Sequence, residues 1–263
     1  MNSAAPPRHR RSRRKTLSWI FAAVFLAPVL FAVGALAYRG GPPHWGQYDH
    51  TIASRLPPAA AHPDARILVM SSRTRGWKGV VAVHSWVVVK AESEKVWRRY
   101  DVAGWGNPVR LNWWPPDLWF GQHGSVIADL KGPAAQALIP RIDAAIKDYQ
   151  YANAGDYRIW PGPNSNTFVA AVLRAIPEIG ATMPPNAVGR DFRPWPYAGL
   201  TDSRTGVEAN LWGVLSVKLG WVEGVELNVL GLVAGLDVRN PALKVPGYGR
   251  VGFDHTATAA SRP

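Results

Sequence analysis

The sequence contains no cysteine, so disulfide bridges, thiolate nucleophiles and thiolate-bound metals are excluded, and any nucleophile must be oxygen or nitrogen. Acidic residues are scarce: 18 Asp and Glu stand against 30 Lys and Arg, and the first of them is Asp49. No Gly-rich phosphate loop or His-Glu-x-x-His pair occurs, and the carboxylates lack metal-ligand spacing, so no metal and no cofactor is expected. Arg8, Arg10, Arg11, Arg13, Arg14 and Lys15 supply half of the formal net charge of +12. The remaining excess is scattered and forms no basic stripe, which argues against a nucleic-acid partner.

What is present begins with an uncharged apolar run over residues 17–38. At ~1.5 Å per helical residue it is long enough to cross ~30 Å of hydrocarbon. The cationic cluster just before it should stay in the cytoplasm, which sends the remainder across the membrane. Ala35-Leu36-Ala37 also fits a cleavage site, and Ser12-Arg13-Arg14-Lys15-Thr16-Leu17 is similar to a twin-arginine export signal. A retained anchor and a cleaved signal both export the domain, to the periplasm or the exterior. The expected organisation is a basic cytoplasmic tail (1–16), a transmembrane or signal-anchor helix (17–38), an extended linker (39–65), a core (66–195) and a C-terminal β extension (196–255). No chemistry is assigned to His44, His50 or His62 in the linker, and His255 reads as tail.

Beyond the linker the pattern predicts an α+β fold, an antiparallel sheet with packed helices. Ile67-Leu68-Val69-Met70 reads as a buried strand, and residues 79–90 and 95–102 as a β-hairpin. With residues 91–94 as its loop, Trp86 would face Arg99 and His84 would face Asp101. Residues 104–124, rich in Trp, Pro and Gly, form an aromatic connection, and residues 125–130 restore a strand. Helices are predicted from Pro133, with Pro140 bending or splitting it, and from about Ser165. Leu215, Val217, Leu219 and Trp221 alternate with polar or small residues, as do Val225, Leu227 and Val229. That antiparallel layer has one apolar face needing a partner, either the core or the membrane surface.

One constellation can carry chemistry. Ser165 falls at a helix N-terminus, where backbone N–H groups and the helix dipole favour a developing anion. His84 lies in a strand opposite Asp101, which would orient the imidazole. Ser165 is therefore the candidate nucleophile, His84 the base and Asp101 the orienter, with Asn164, Asn166, Thr167, Trp86 and Trp160 assigned to substrate or oxyanion contact. Each has a plainer role open to it: Ser165 or Asn166 as a helix cap, His84 as a core histidine, Asp101 as a partner of Arg99 or Arg110. His123 is an alternative base or binding residue. The 13 tryptophans, eight of them between Trp77 and Trp160, suit either sugar stacking and membrane interfaces or simple core packing.

The stretch from Ile67 to Phe192, with AVHSWVVVK, YDVAGWG, DYRIWPGPNSNTFVAAVLRAIP and GRDF, resembles the bacterial domain of unknown function 3750 family, and the likeness extends into LGWVEGVELNVLGLVAGLD. More distantly, His84 and Asn164-Ser165 resemble the strand histidine and helix-start Asn-Cys of circularly permuted papain-like proteins, the NlpC-type and lecithin retinol acyltransferase-like group. That resemblance implies a permuted papain-like core, with Asp101 in the place of the third polar residue and Ser165 where cysteine is expected. A hydroxyl, unlike a thiol, depends wholly on its base for nucleophilicity. The expected function is thus a serine-nucleophile hydrolase or acyltransferase acting on an amide or ester of an envelope component. The alternative is a catalytically silent relative that binds envelope peptide, glycan or lipid.

Overall fold

A strand covered on both faces can afford an unbroken apolar run, and the first sheet is built that way. In a computed structural model, which describes residues 8–43, 49, 51–252 and 257–258, β1 (Arg66–Arg73) pairs with β2 (Val83–Lys90) on one side. On the other it pairs with β7 (Ser125–Lys131). Then come β3 (Arg98–Val102) and β4 (Val109–Leu111) beyond β2, giving a six-stranded sheet whose far strand is β15 (Ala257–Thr258), parallel to β7. One face packs Ile67, Val69, Val87 and Val89 against α3 (Pro133–Lys147) and α4 (Ser165–Ala175) through Ile139, Ile142, Phe168 and Val172. The other face packs Leu68, Met70, Trp86 and Val88 against Trp97, Trp119 and Phe120. The short hairpin of β5 (Leu118–Trp119) and β6 (Gln122–His123) belongs to this aromatic cover.

Several expectations shift in detail. Residues 79–82 are not strand: a 3-10 turn covers Gly76–Val80, Thr74 N–H bonds Ala82 O, and β2 starts at Val83. The β2–β3 register is displaced by two from the expected one, so that Val88, not Trp86, faces Arg99. The connection is longer than four residues because Ser93, at positive φ, donates its N–H to Pro63 O and ties the loop to the preceding segment. An even displacement keeps each side chain on its face, so His84 and Asp101 remain on the same side as diagonal neighbours. Pro140 sits inside α3 without splitting it, exposed to solvent. The expected extended linker is packed in its second half. Ala59 is buried, Trp97 Nε1–H bonds Pro57 O, and Arg55 N–H bonds Asp117. His44, His50, His255 and residues 1–7 of the basic tail lie outside the described residues.

The second sheet has seven antiparallel strands: β8 (Tyr197–Leu200), β9 (Gly206–Leu211), β10 (Leu215–Gly220), β11 (Gly224–Val229), β12 (Leu232–Asp237), β13 (Ala242–Val245) and β14 (Gly249–Gly252). Its alternation is the reverse of an ordinary half-buried sheet: Glu208, Asn210, Ser216, Lys218, Glu226, Asn228 and Lys244 are buried, while Val207, Leu211, Val217, Leu219, Leu227 and Leu243 are exposed. The buried face closes on Arg190 and Asp191. Lys218 Nζ lies 2.6 Å from Asp191 Oδ1, Asn228 Nδ2 donates to Asp191 Oδ2 at 3.0 Å, and Glu226 pairs with both Arg190 and Lys244. The core thus lies behind the polar face, and most of the apolar face is left exposed.

The N-terminal helix, α1 (Arg8–Phe21) and α2 (Ala27–Tyr38) joined by a π-helical turn at Ala22–Leu26, is long and apolar enough over Arg14–Tyr38 to cross a membrane.

Candidate functional site

The start of α4 is locked by its own sequence. Asn164 is the N-cap: its Oδ1 accepts the N–H groups of Asn166 and Thr167, and Thr167 Oγ1 accepts the N–H of Asn164 in return, forming a capping box. Asn164 Nδ2 donates to Ile159 O and Val188 O, and Asn166 Nδ2 donates to Val83 O and Val188 O. These bonds pin the helix start to β2 and to the 188–189 turn. Gly189, at φ +93°, is required there, since a Cβ would sit 2.2 Å from Asn164 Nδ2. The N–H groups of Asn166 and Thr167, expected as oxyanion donors, are thus already engaged by Asn164. The side chains of Asn164 and Asn166 brace the helix start and also line the cavity that Ser165 faces, whereas Thr167 does not line it.

Ser165 and His84 line one cavity of about 380 Å³. Its wall is largely apolar, with Val102, Trp105, Tyr157, Trp160 and Leu232 among the lining residues and Lys78 as a cation. Trp160 is half-exposed and donates its Nε1–H to Leu230 O, which fixes the ring against the second sheet. Trp86 does not line the cavity. It is fully buried, with Nε1–H bonded to Pro116 O and its ring under the Arg99 guanidinium at 4.4 Å.

His84 stacks on Trp119 with ring centroids 3.6 Å apart and 10° between planes. Its Nε2 faces Asp101 Oδ2 at 3.6 Å, just beyond hydrogen-bond reach. Burial pushes the His84 pKa below its ordinary value despite the Asp101 carboxylate, so the ring is neutral near pH 7 and able to take a proton. With Nε2 turned to the carboxylate, Nδ1 is the nitrogen left for a substrate or a nucleophile. Asp101 is itself buried. Burial opposes its ionisation, but His84 and Arg99 outweigh it and hold the carboxyl below the usual range. Arg99 NH2 bonds Asp101 Oδ2 at 2.8 Å, so the pairing expected as a plainer role for Asp101 coexists with its approach to His84. Among the described residues no hydrogen bond joins Ser165 to His84. His123, the alternative base, does not line the cavity; its Nδ1 is bound to Asp117 at 2.9 Å.

Residues 64–192 match the family described as Protein of unknown function (DUF3750). Over that region the chain belongs to this family. No curated protein and no solved structure matches the chain. The family region carries His84, Asp101 and Ser165, whereas Leu230 and Leu232 of the cavity wall lie beyond it. Sequence reasoning missed three contributors: Trp119 as the stacking partner of His84, the 188–189 turn that receives the capping asparagines, and Leu230 with Leu232. Each reaches the site from far along the chain, and no local pattern marks them.

Proposed function

We propose that the protein is a membrane-anchored serine-nucleophile hydrolase or acyltransferase of the cell envelope, with a permuted papain-like core, acting on an amide or ester. The observation that carries this reading is that Ser165, at a helix N-terminus, and a neutral His84 backed by Asp101 line the same apolar cavity. In the step proposed, His84 Nδ1 accepts the Ser165 hydroxyl proton as Oγ bonds the substrate carbonyl carbon. The imidazolium then returns that proton to the departing amine or alcohol as its bond to the carbonyl carbon breaks. Water or a second acceptor resolves the acyl-serine by the reverse sequence. The N-terminal orientation follows from the cationic residues before the apolar helix, which keep the N-terminus in the cytoplasm and the domain in the periplasm or outside the cell.

A second reading, a catalytically silent relative that binds envelope peptide, glycan or lipid, is favoured by two observations. Ser165 and His84 share no hydrogen bond among the described residues, and Arg99 already neutralises Asp101. Labelling of the full chain with a fluorophosphonate probe separates the two. Covalent labelling lost in both Ser165→Ala and His84→Ala, with the thermal midpoint retained, is the outcome expected for the enzyme. Because His84 titrates below its ordinary value, the labelling rate should hold at pH 6.5 and fall only at lower pH. A well-folded wild type that takes up no probe supports the binding relative.

A further inference from the structure

We infer that the outward face of the second sheet is seated against the lipid of the membrane that the N-terminal helix enters. By the strand registers, every outward position of β8 to β14 carries Ala, Val, Leu or Gly. Charged and amide side chains of these strands point the other way, most of them into the network around Asp191, with Asp237 and Arg250 paired to each other. Seven strands at ~4.8 Å spacing and ~20 Å long give an area of roughly 600 Å², at or above the largest apolar patch of a typical water-soluble monomer. Val217, on the strand next to the central one, is 44% exposed. A water-facing sheet has no reason to bury its lysines and glutamates while exposing its leucines and valines. For a lipid-facing sheet the arrangement costs least, because the backbone polar groups within each strand pair are satisfied by the ladder.

The helix supplies the second argument. Its Ala22–Leu26 turn packs on β12, and Phe25 there is only 4% exposed although its neighbours Val24 and Leu26 face outward. One turn on, Val29 lies against Gly247, between β13 and β14. The inner face of the sheet is occupied by Arg190 and Asp191, so the helix covers part of the outer one. There Leu232, Ala234 and Val245 are half-buried, whereas Val207 and Leu219 are not. In a span running Arg14–Tyr38, Phe25 is near the middle. A helix crossing the bilayer therefore carries the sheet it docks on into contact with the same hydrocarbon. Aromatic residues mark both ends of the apolar band, Trp212 and Tyr248 at the turns of one end and Trp221 at the other, the placement of rings at a membrane interface. A second copy of the chain is disfavoured as the occupant, because the face offers no polar or charged group to fix a register between copies. Leu232 belongs both to this face and to the cavity wall, so lipid seating brings the cavity beside the membrane.

The absence of cysteine allows single-site labels. Full-length Val217→Cys, Leu227→Cys and Lys147→Cys, the last on α3 at the first sheet, each carry a nitrobenzoxadiazole label in vesicles of phosphatidylcholine and phosphatidylglycerol. Thermal midpoints equal to that of the wild type establish folding. Doxyl-labelled lipid should quench the labels at 217 and 227 several-fold more than that at 147, and aqueous iodide should do the reverse. Equal iodide quenching at all three sites overturns the inference. So does shielding at 217 and 227 from both quenchers, with doubling of the cross-linked mass, which assigns the face to a second copy.

Discussion

The two sheets of this protein solve the burial problem in opposite ways. In the first, apolar side chains fill most of both faces, and of the buried polar exceptions His84, Asp101 and Arg99 cluster beside the cavity, while Ser71, Ser72, Ser85 and Lys90 are spread along β1 and β2. In the second, charged and amide side chains fill the inner face and apolar ones the outer. The first sheet is held by hydrophobic transfer, at about 1.5–3 kcal/mol for a fully buried aliphatic or aromatic side chain. The second depends on a chain of linked ion pairs, which is costly to desolvate and costlier to break. The lesson is that alternation identifies a strand and its two faces, but not which face turns inward.

The sharpest way to break this comparison is Asp191→Ala, which leaves Lys218, Asn228 and Arg190 around a missing carboxylate. A loss of about 3–5 kcal/mol is expected from denaturant unfolding, and a loss near zero would mean the network contributes nothing. In the first sheet the matching change is Ile142→Ala, which empties the α3 contact and should cost about 2–5 kcal/mol by the same measurement.

A pH series sharpens the contrast. Burial resists ionisation of Asp191, but Lys218 and Arg190 outweigh it and draw its pKa down to about 2. The folded pKa lies below that of the unfolded chain, so ionised Asp191 stabilises the fold at pH values above about 4. That contribution disappears as pH falls through about 2. The unfolding midpoint should therefore drop across this acid window in the wild type, and the drop should shrink in Asp191→Asn. The smallest effect is expected on the outer face: Val217→Ser and Leu219→Ser, read in detergent micelles, should change stability by no more than about 0.5 kcal/mol, because neither side chain is buried by protein. A cost of several kcal/mol would place that face against protein after all.

Much of the site was legible in particular residues. Asn164-Ser165-Asn166-Thr167 after a Pro-Gly-Pro turn announces a helix start, and the helix runs Ser165–Ala175. What could not be read is that the cap would engage two of the N–H groups assigned to an oxyanion, those of Asn166 and Thr167, because two competing uses of one donor are settled only by side-chain placement. The His84–Asp101 approach survived a wrong register because the displacement was even, and an odd one would have put the two on opposite faces. Trp86 and Trp160 looked alike as aromatic candidates. Packing sent one into the core and left the other on the cavity wall.

By itself the sequence determined the local and periodic features: a charge-free helix long enough for a bilayer, strands of β-branched residues, a capped helix at Ser165, and the absence of thiol chemistry. These depend on neighbours within a few residues, where propensity and period act directly. Only the tertiary structure decided that Asp101 would be shared between His84 and Arg99, that Leu232 would close the cavity, and that the second sheet would turn its polar face inward. Those outcomes rest on contacts between residues far apart in the chain, where the cost of burying a charge is set by whichever partner the fold brings to it.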